Sequence, residues 1–409
     1  VSGQKAWSFF EKKEPRKLLI VRARRLQQRG SKMQRFFACF LQKRNPSCIV
    51  IAAGGTGGHF FPAEALAARL IERGHAIMLM TDARSGAAAS RVFAGHEQHV
   101  LRGAGIAGRG FTRGASAVVS LAAGTLQARG LLRGAGAVVA FGGYPSVPPV
   151  LAARSFVNRP AIILQEQNAV LGRANRLFAG GADSLALGFA STTRVPAGAR
   201  TVVTGNPVRG EILRVSGLGY EPPGDIVHLL ILGGSLGARV FSDVVPAAVA
   251  LLPEALRARL RIVQQCRAED LDRVGKAYAA LEMQAELSAF FAGVAERLSR
   301  AHLVIARAGA STCAELTAVG RPSILVPLPG AIDNHQAANA AALAAAGAAL
   351  VINQAQLSPP GLAESLQSCL LPSWLVAAAR AAASIARPRA ADDLADLVEQ
   401  QLARIGARS

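Results

Sequence analysis

Two glycine loops and one histidine are the places where this chain could do chemistry. AAGGTGGHFFPAEAL, residues 52–66, packs Gly54, Gly55, Gly57 and Gly58 around Thr56 and hands over to His59; LGGSLGAR, residues 232–239, repeats the idea without the histidine. Residues without a Cβ let backbone N–H groups approach an anion, and a following helix adds its positive end. Neither loop carries the Gly-Lys-Ser/Thr of a P-loop, and Phe60 stands where G-x-G-x-x-G needs its last glycine. Either loop alone could be a tight βα turn with no ligand. Two of them, one in each half, argue for a phosphate-bearing or sugar-bearing ligand.

His59 sits at the mouth of the first loop, where the helix end disfavours an imidazolium, and a neutral imidazole suits a base. Tyr144 after Gly143, and Glu166 and Asn168 at the end of a buried strand, point to the same face, although each also reads as a cap or turn former. The densest polar cluster is ARAGASTCAELTAVGRPSILVPLPGAIDNHQAANA, residues 306–340. Ser311 reads there as a helix cap, with Glu315 one turn further in. A sugar nucleotide across that helix start would bring its ribose hydroxyls to Glu315 and its diphosphate to the Gly309–Thr312 backbone. Gln336 and Asn339 share a helical face at i, i+3. Asp270-Leu271-Asp272 resembles a metal-holding DxD, but it opens a helix, where acids are favoured by the dipole alone.

The elements that must position these groups alternate as strand, glycine turn and helix. SCIVIAA (47–53), HAIMLMTD (75–82), AVVAF (137–141), PAIILQEQN (160–168) and the start of RTVVTGNPVRGEI (200–212) read as strands of a first half, with a helix over 64–74. The break at Gly205-Asn206-Pro207 starts the pattern afresh, with strands in DIVHLLIL, RLRIVQQ, AHLVIAR, PSILVPL and AALVI. The fold class is α/β: two Rossmann-like domains of parallel sheet, each opened by its own glycine loop.

The formal charge is +20, and residues 1–47 supply +11 of it with 13 Lys/Arg against 2 Glu. That segment contains Met33 and is expected to be a basic N-terminal extension with no fold of its own, or else a basic arm for phosphate-rich surfaces. Five scattered cysteines lack metal-ligand spacing and fit a reducing compartment. No run approaches the roughly 20 apolar residues of a membrane span. Residues 101–134 mix apolar residues and glycines with five arginines and no acid. They read as an ordinary helix face or as an interfacial patch, with Arg102, Arg109, Arg113, Arg129 and Arg133 toward anionic headgroups and Ile106, Phe111 and Leu131 below them.

Six ordered motifs, GGTGGHFFPAEALA, FGGYPSVP, QEQNAVLGRANR, TGNPVR, LGGSLGAR and RAGASTCAEL…GRPSILVP…DNHQAANA, resemble the MurG family of N-acetylglucosaminyltransferases of bacterial peptidoglycan synthesis. The resemblance runs from about Cys48 to Ile352 and on toward the C-terminus. It implies the GT-B fold, two Rossmann-like domains across a deep cleft, here 48–208 for the acceptor and membrane side and 209–385 for UDP-GlcNAc, with 386–409 returning to the first domain. It implies transfer of N-acetylglucosamine from UDP-GlcNAc to the C4 hydroxyl of the muramyl sugar of lipid I, with inversion, giving lipid II. The donor contacts it implies are Thr56, Gly57, Gly58, Asn168, Arg209, Ser235, Phe291 (by its backbone, against uracil), Ala310, Ser311, Thr312, Cys313, Ala314, Glu315 (ribose) and Gln336 (sugar). His59 is the base it implies, with Tyr144 and Glu166 on the acceptor side. Gln165 stands where many relatives have histidine, which puts a catalytic role for that position in doubt. No cofactor and no metal in the donor pocket are implied. The expected partners are UDP-GlcNAc, lipid I, anionic lipids at the cytoplasmic face of the inner membrane and other cell-wall synthesis proteins, with no nucleic acid. The expected location is peripheral, on that cytoplasmic face. Two rivals stay open: a UDP-N-acetylglucosamine epimerase of the same fold, which leaves the first-half motifs unexplained, and a nucleic-acid binder, suggested by charge alone.

Overall fold

The chain builds two parallel sheets, each covered by helices on both faces. The computed structural model describes residues 48–54, 57–82, 90–101, 111–234 and 237–407, all within the unit Ser47–Ser409. The expectations for residues 1–47, Thr56, Ser235, Arg102, Ile106 and Arg109, and for the side chains of Phe111 and Arg113, lie outside the described residues.

The first sheet comprises β1 (Cys48–Ala52), β2 (Ala76–Thr81), β3 (Glu97–Val100), β4 (Ala135–Ala140), β5 (Ala161–Glu166), β6 (Ser184–Leu187) and β7 (Thr201–Val203), in the order β3-β2-β1-β4-β5-β6-β7. The second comprises β8 (Val227–Leu232), β9 (Leu260–Gln265), β10 (Ala285–Ser288), β11 (Leu303–Ala306), β12 (Ser323–Leu325) and β13 (Ala349–Val351), in the order β10-β9-β8-β11-β12-β13. Neighbouring strands pair in parallel throughout. Strand order reverses between β1 and β4 and between β8 and β11, the switch points beside which doubly wound sheets bind ligands.

Around the first sheet lie α1 (Gly57–Glu72), α2 (Phe111–Leu131), α3 (Val147–Arg154) and α4 (Arg173–Phe178). The second half carries α5 (Gly210–Val215), α6 (Arg239–Ala250), α7 (Glu254–Arg257), α8 (Leu271–Ala279), α9 (Val294–Arg300), α10 (Ala310–Val319), α11 (His335–Ala345), α12 (Pro359–Cys369) and α13 (Pro372–Ser384). The last helix, α14 (Ala390–Gly406), packs against α1, β4 and β5.

Central strands are apolar on both faces because both faces are covered. Ile49 and Ile51 join Leu66, Leu70, Leu394 and Val398 on the side of α1 and α14, while Val50 and Ala52 join Leu132, Val150 and Leu164 on the other. Arg73 strengthens the α14 seam, donating to Asp396 (2.6 Å), Glu399 (3.0 Å) and Asp392 (3.2 Å). The first helix begins at Gly57, seven residues before the start that the periodicity over 64–74 indicated. Pro62 falls in its second turn, where the missing N–H deprives the helix of one bond close to its end.

Candidate active site

The first glycine loop is shaped by what lies above it. A Cβ on Gly54 would come within 2.8 Å of Pro145 and 3.0 Å of Asp82, so the chain passes there only as glycine. Gly142 and Gly143 turn at φ of 81° and 68°, a region that favours glycine. Ser146 pins that turn by donating to the carbonyls of Ala52 (3.2 Å) and Gly142 (2.8 Å). The turn lies against His59, whose Nε2 is 3.5 Å from the position a Gly143 Cβ would take. The other ring nitrogen, Nδ1, is 2.8 Å from Gln167 Oε1. Tyr144 follows, half-buried, its hydroxyl pKa raised by desolvation.

Glu166 is engaged by its own loop. Its Oε1 accepts from Asn168 N (3.0 Å) and Nδ2 (3.1 Å), and its Oε2 from Gly172 N (2.8 Å) and Asn175 Nδ2 (3.0 Å). Those four bonds hold the loop that carries Asn168.

In the second half, a Cβ on Gly233 would meet Gly237 Cα at 2.8 Å, so the loop after β8 closes on itself only without a side chain. Gln265, at the end of β9, clamps it: Oε1 accepts from Gly233 N (3.1 Å), and Nε2 donates to Gly234 O (2.9 Å) and Ala289 O (3.2 Å). Gly309 is the N-cap of α10 and no side chain caps it. Ser311 is therefore not the cap that the sequence suggested; it lies inside the first turn, its hydroxyl buried with no hydrogen-bond partner. Cys313 is fully buried in the core, its thiol pushed up to about 12 by burial, so only backbone in the 310–315 run approaches a ligand at that residue. Arg307, buried one strand-end earlier, donates to the carbonyls of Val326 (3.1 Å) and Pro327 (3.2 Å) and to Gln354 (2.6 Å). These hydrogen-bond partners are neutral. Phe291 is buried beneath the Arg297 guanidinium, 4.5 Å from its ring centre, while Phe290 beside it is 75% exposed.

The two halves meet at these loops. Arg209, the N-cap of α5, donates through Nε (3.0 Å) and Nη2 (2.9 Å) to Glu315 Oε1, pairs with Glu211 at 2.9 Å, and lies 4.8 Å over the ring of Phe61 on α1. Burial pushes the Glu315 carboxyl above its ordinary range, and Arg209 opposes that shift. Asn339, fully buried on α11, accepts from Ala169 N (2.8 Å) and donates to Asn168 Oδ1 (3.1 Å) and Ala308 O (3.1 Å), stitching the Glu166 loop to the second sheet. Gln336 accepts from Leu328 N at 3.0 Å. Asp333, at φ 53°, takes Arg176 (3.0 Å) and Arg194 (2.7 Å) from the first half, and Arg194 holds its carboxyl below the usual range.

Among the described residues no group of three or more His, Cys, Asp or Glu side chains is placed to hold a metal ion. Asp270 of the DxD pattern is bonded by Arg273 at 2.7 Å, which lowers its pKa. In the basic 101–134 stretch, Arg129 is exposed, donates to Ser155 O at 2.8 Å and lies over Phe156, while Leu131 is partly buried against the core. Among its described side chains, α2 exposes the large apolar residues Val118, Val119 and Leu126. None of the described helices is long and apolar enough to cross a membrane.

The N-terminal domain description of glycosyltransferase family 28 matches residues 49–187, and the C-terminal domain description matches residues 228–398. The UDP-N-acetylglucosamine--N-acetylmuramyl-(pentapeptide) pyrophosphoryl-undecaprenol N-acetylglucosamine transferase of Granulibacter bethesdensis is 59% identical over 359 residues, covering 87% of this chain and 94% of that protein. The protein of the same description from Acidiphilium cryptum is 52% identical over 358 residues, 87% of this chain and 97% of its own. The crystal structure of Acinetobacter baumannii MurG matches with a TM-score of 0.72 at 29% identity, over 87% of this chain and all of that one.

Proposed function

The chain belongs to glycosyltransferase family 28 and is an N-acetylglucosaminyltransferase of peptidoglycan synthesis with the GT-B fold, and from that premise we propose which of its groups carry the reaction. The transfer takes N-acetylglucosamine from UDP-GlcNAc to the C4 hydroxyl of the muramyl sugar of lipid I, giving lipid II. The observation that carries our assignment is the contact of α1 with α10 through Phe61, Arg209 and Glu315, which brings both glycine-opened switch points to one place.

In this reading the diphosphate rests on the N-terminus of α10, on the amide N–H groups of Ala310 to Thr312, above the buried and unpartnered Ser311 hydroxyl. Glu315 accepts the ribose hydroxyls, Gln336 the sugar, and the backbone at Phe291 the uracil. Thr56, Gly57, Gly58, Asn168 and Ser235 complete the donor contacts. Residues 48–208 serve the acceptor and 209–385 the donor, with 386–409 closing back on the first domain. His59 removes the proton of the C4 hydroxyl as that oxygen attacks C1 from the face opposite UDP, which inverts the anomeric centre. Arg209 and the helix N-terminus meet the charge that develops on the departing diphosphate. A base of this kind contributes about 10²–10⁴-fold.

Lipid I stays in the bilayer, so we place the enzyme peripherally at the cytoplasmic face of the inner membrane, with Val118, Val119 and Leu126 of α2 toward the lipid. Transfer kinetics with labelled UDP-GlcNAc, with and without lipid I, test the whole reading. Product should require lipid I; epimerised sugar formed without it would overturn the assignment. His59→Ala should lose kcat, and loss confined to donor affinity would remove His59 from the base role.

A further inference from the structure

His59 is half-buried, and its Nδ1 contact leads into a chain of buried amides, Gln167, Gln165 and Asn206, that starts on backbone carbonyls. Asn206 Nδ2 donates to Gln167 O at 2.7 Å. A carbonyl only accepts, so the other face of that amide, Oδ1, must turn to Gln165, whose Nε2 donates to it at 3.0 Å. That leaves Gln165 Oε1 facing Gln167, whose Nε2 donates to it and to the carbonyls of Phe141 (2.9 Å) and Gln165 (3.3 Å). Gln167 Oε1 is then the atom presented to His59, 2.8 Å from Nδ1. An amide oxygen cannot donate. The proton between them therefore belongs to Nδ1, and in the neutral ring the lone pair lies on Nε2.

Nε2 makes no hydrogen bond to a described residue and lies against the Gly142–Gly143 turn, 3.5 Å from where a Cβ on Gly143, at φ of 68°, would stand. At the far end a Cβ on Gly188 would stand 2.6 Å from Asn206 Cγ, so the first link of the chain fits only against glycine.

We infer that Gln167, backed by Gln165 and Asn206, is a positioning residue that fixes the Nδ1–H tautomer of His59 and so makes Nε2 the basic atom; this rests on the reading of His59 as the base. None of the three amides titrates, so their order of donors and acceptors is the same at every pH at which the enzyme is folded. Gln165 thereby gains a part in the site as a link in the relay, acting through Gln167 and not on the substrate.

The test is the nitrogen NMR spectrum of histidine-labelled full-length protein at a pH where the ring is neutral, with His59 assigned by its loss in His59→Gln. The expected wild-type spectrum has a protonated Nδ1 and a pyridine-like Nε2. Gln167→Met, which offers no acceptor, should shift the ring toward the Nε2–H form and lower kcat about 10- to 100-fold while leaving KM for UDP-GlcNAc unchanged. Gln167→Glu, which still presents an oxygen, should restore the wild-type tautomer. A wild-type ring protonated on Nε2 would overturn the proposal without any variant, and so would an unchanged tautomer in Gln167→Met. Normal transfer by His59→Ala beside the expected wild-type spectrum would overturn the base reading alone.

Discussion

Arg209 and Glu315 are bonded to each other across 106 residues of sequence, two guanidinium nitrogens on one carboxylate oxygen at 3.0 and 2.9 Å. They are also the residues assigned to the diphosphate and the ribose. Each therefore holds the other in place before donor arrives, and each must share its partner when it does. Glu315→Gln keeps the shape and loses the charge. Hydrogen bonds to charged groups contribute about 1.5–3 kcal/mol, so KM for UDP-GlcNAc should rise about 10- to 100-fold with kcat less affected.

Arg209→Met leaves a buried carboxyl alone. Glu315 is already pushed up by burial, and without the guanidinium nothing opposes that shift. The folded chain then binds a proton that the unfolded chain releases, so stability falls as pH rises above the ordinary carboxylate range. The melting temperature lost by Arg209→Met should be larger at pH 8 than at pH 5; an equal loss at both would show that Glu315 stays charged in the variant.

The doubly wound order was legible where burial is complete. CIVIA, AVVA, LLIL and LVIA are continuous apolar runs because helices cover both faces of β1, β4, β8 and β11. EQHV of β3 and AELS of β10 gave no such signal, since they lie at sheet edges and carry polar residues. The glycines and His59 of the site were legible because they break an apolar pattern. Gln167 and Gln265 were not: a neutral amide has no spacing signature, and its part depends on which carbonyls the fold brings to it.

A histidine pair at the opposite end of the second sheet sets a pH limit on the fold. His302 Nδ1 accepts from His228 N at 2.9 Å, the rings are 5.4 Å apart, and burial, then His228 and Arg321, hold His302 down to about 4. Below the ordinary value of 6.5 the unfolded chain takes up a proton that the folded chain refuses. Stability should therefore be level above about pH 6.5 and decline as pH falls from there toward 4. His302→Asn retains an acceptor for His228 N–H and cannot titrate, so melting curves across that window should show a flatter decline.

Helix α14 is held to the first domain by both oil and charge. Leu394, Leu397, Val398 and Leu402 are buried there, each contributing roughly 1.5–3 kcal/mol, while Arg73 faces three carboxylates at a seam still open to solvent. Arg73→Ala should cost about 1 kcal/mol or less and matter less at high salt. Removing residues 386–409 should instead expose the apolar face of α1 and give an aggregating chain, measured by light scattering.

If α2 meets the bilayer, its exposed apolar residues matter only when the acceptor is in a bilayer. Val119 and Leu126 are seven residues apart, on one face, and 67% and 70% exposed. Val119→Glu with Leu126→Glu should weaken binding to anionic vesicles and slow transfer to vesicle-borne lipid I several-fold. Transfer to a short-chain, water-soluble acceptor should be unchanged. Equal slowing with both acceptors would mean that the face supports the fold and not the membrane.

Gly188→Ala tests the amide relay from the end farthest from His59. The added methyl would fall on Asn206, which is buried and bonded to Gln165 and Gln167, so it cannot swing into solvent without breaking both contacts. Overpacking of this kind costs about 1–3 kcal/mol. If the misfit moves only Asn206, the protein loses that stability and keeps its rate. If the relay orders His59, kcat should fall with the melting temperature while KM for UDP-GlcNAc holds, and the added substitution Asn206→Ala, which relieves the clash, should recover the stability without recovering kcat.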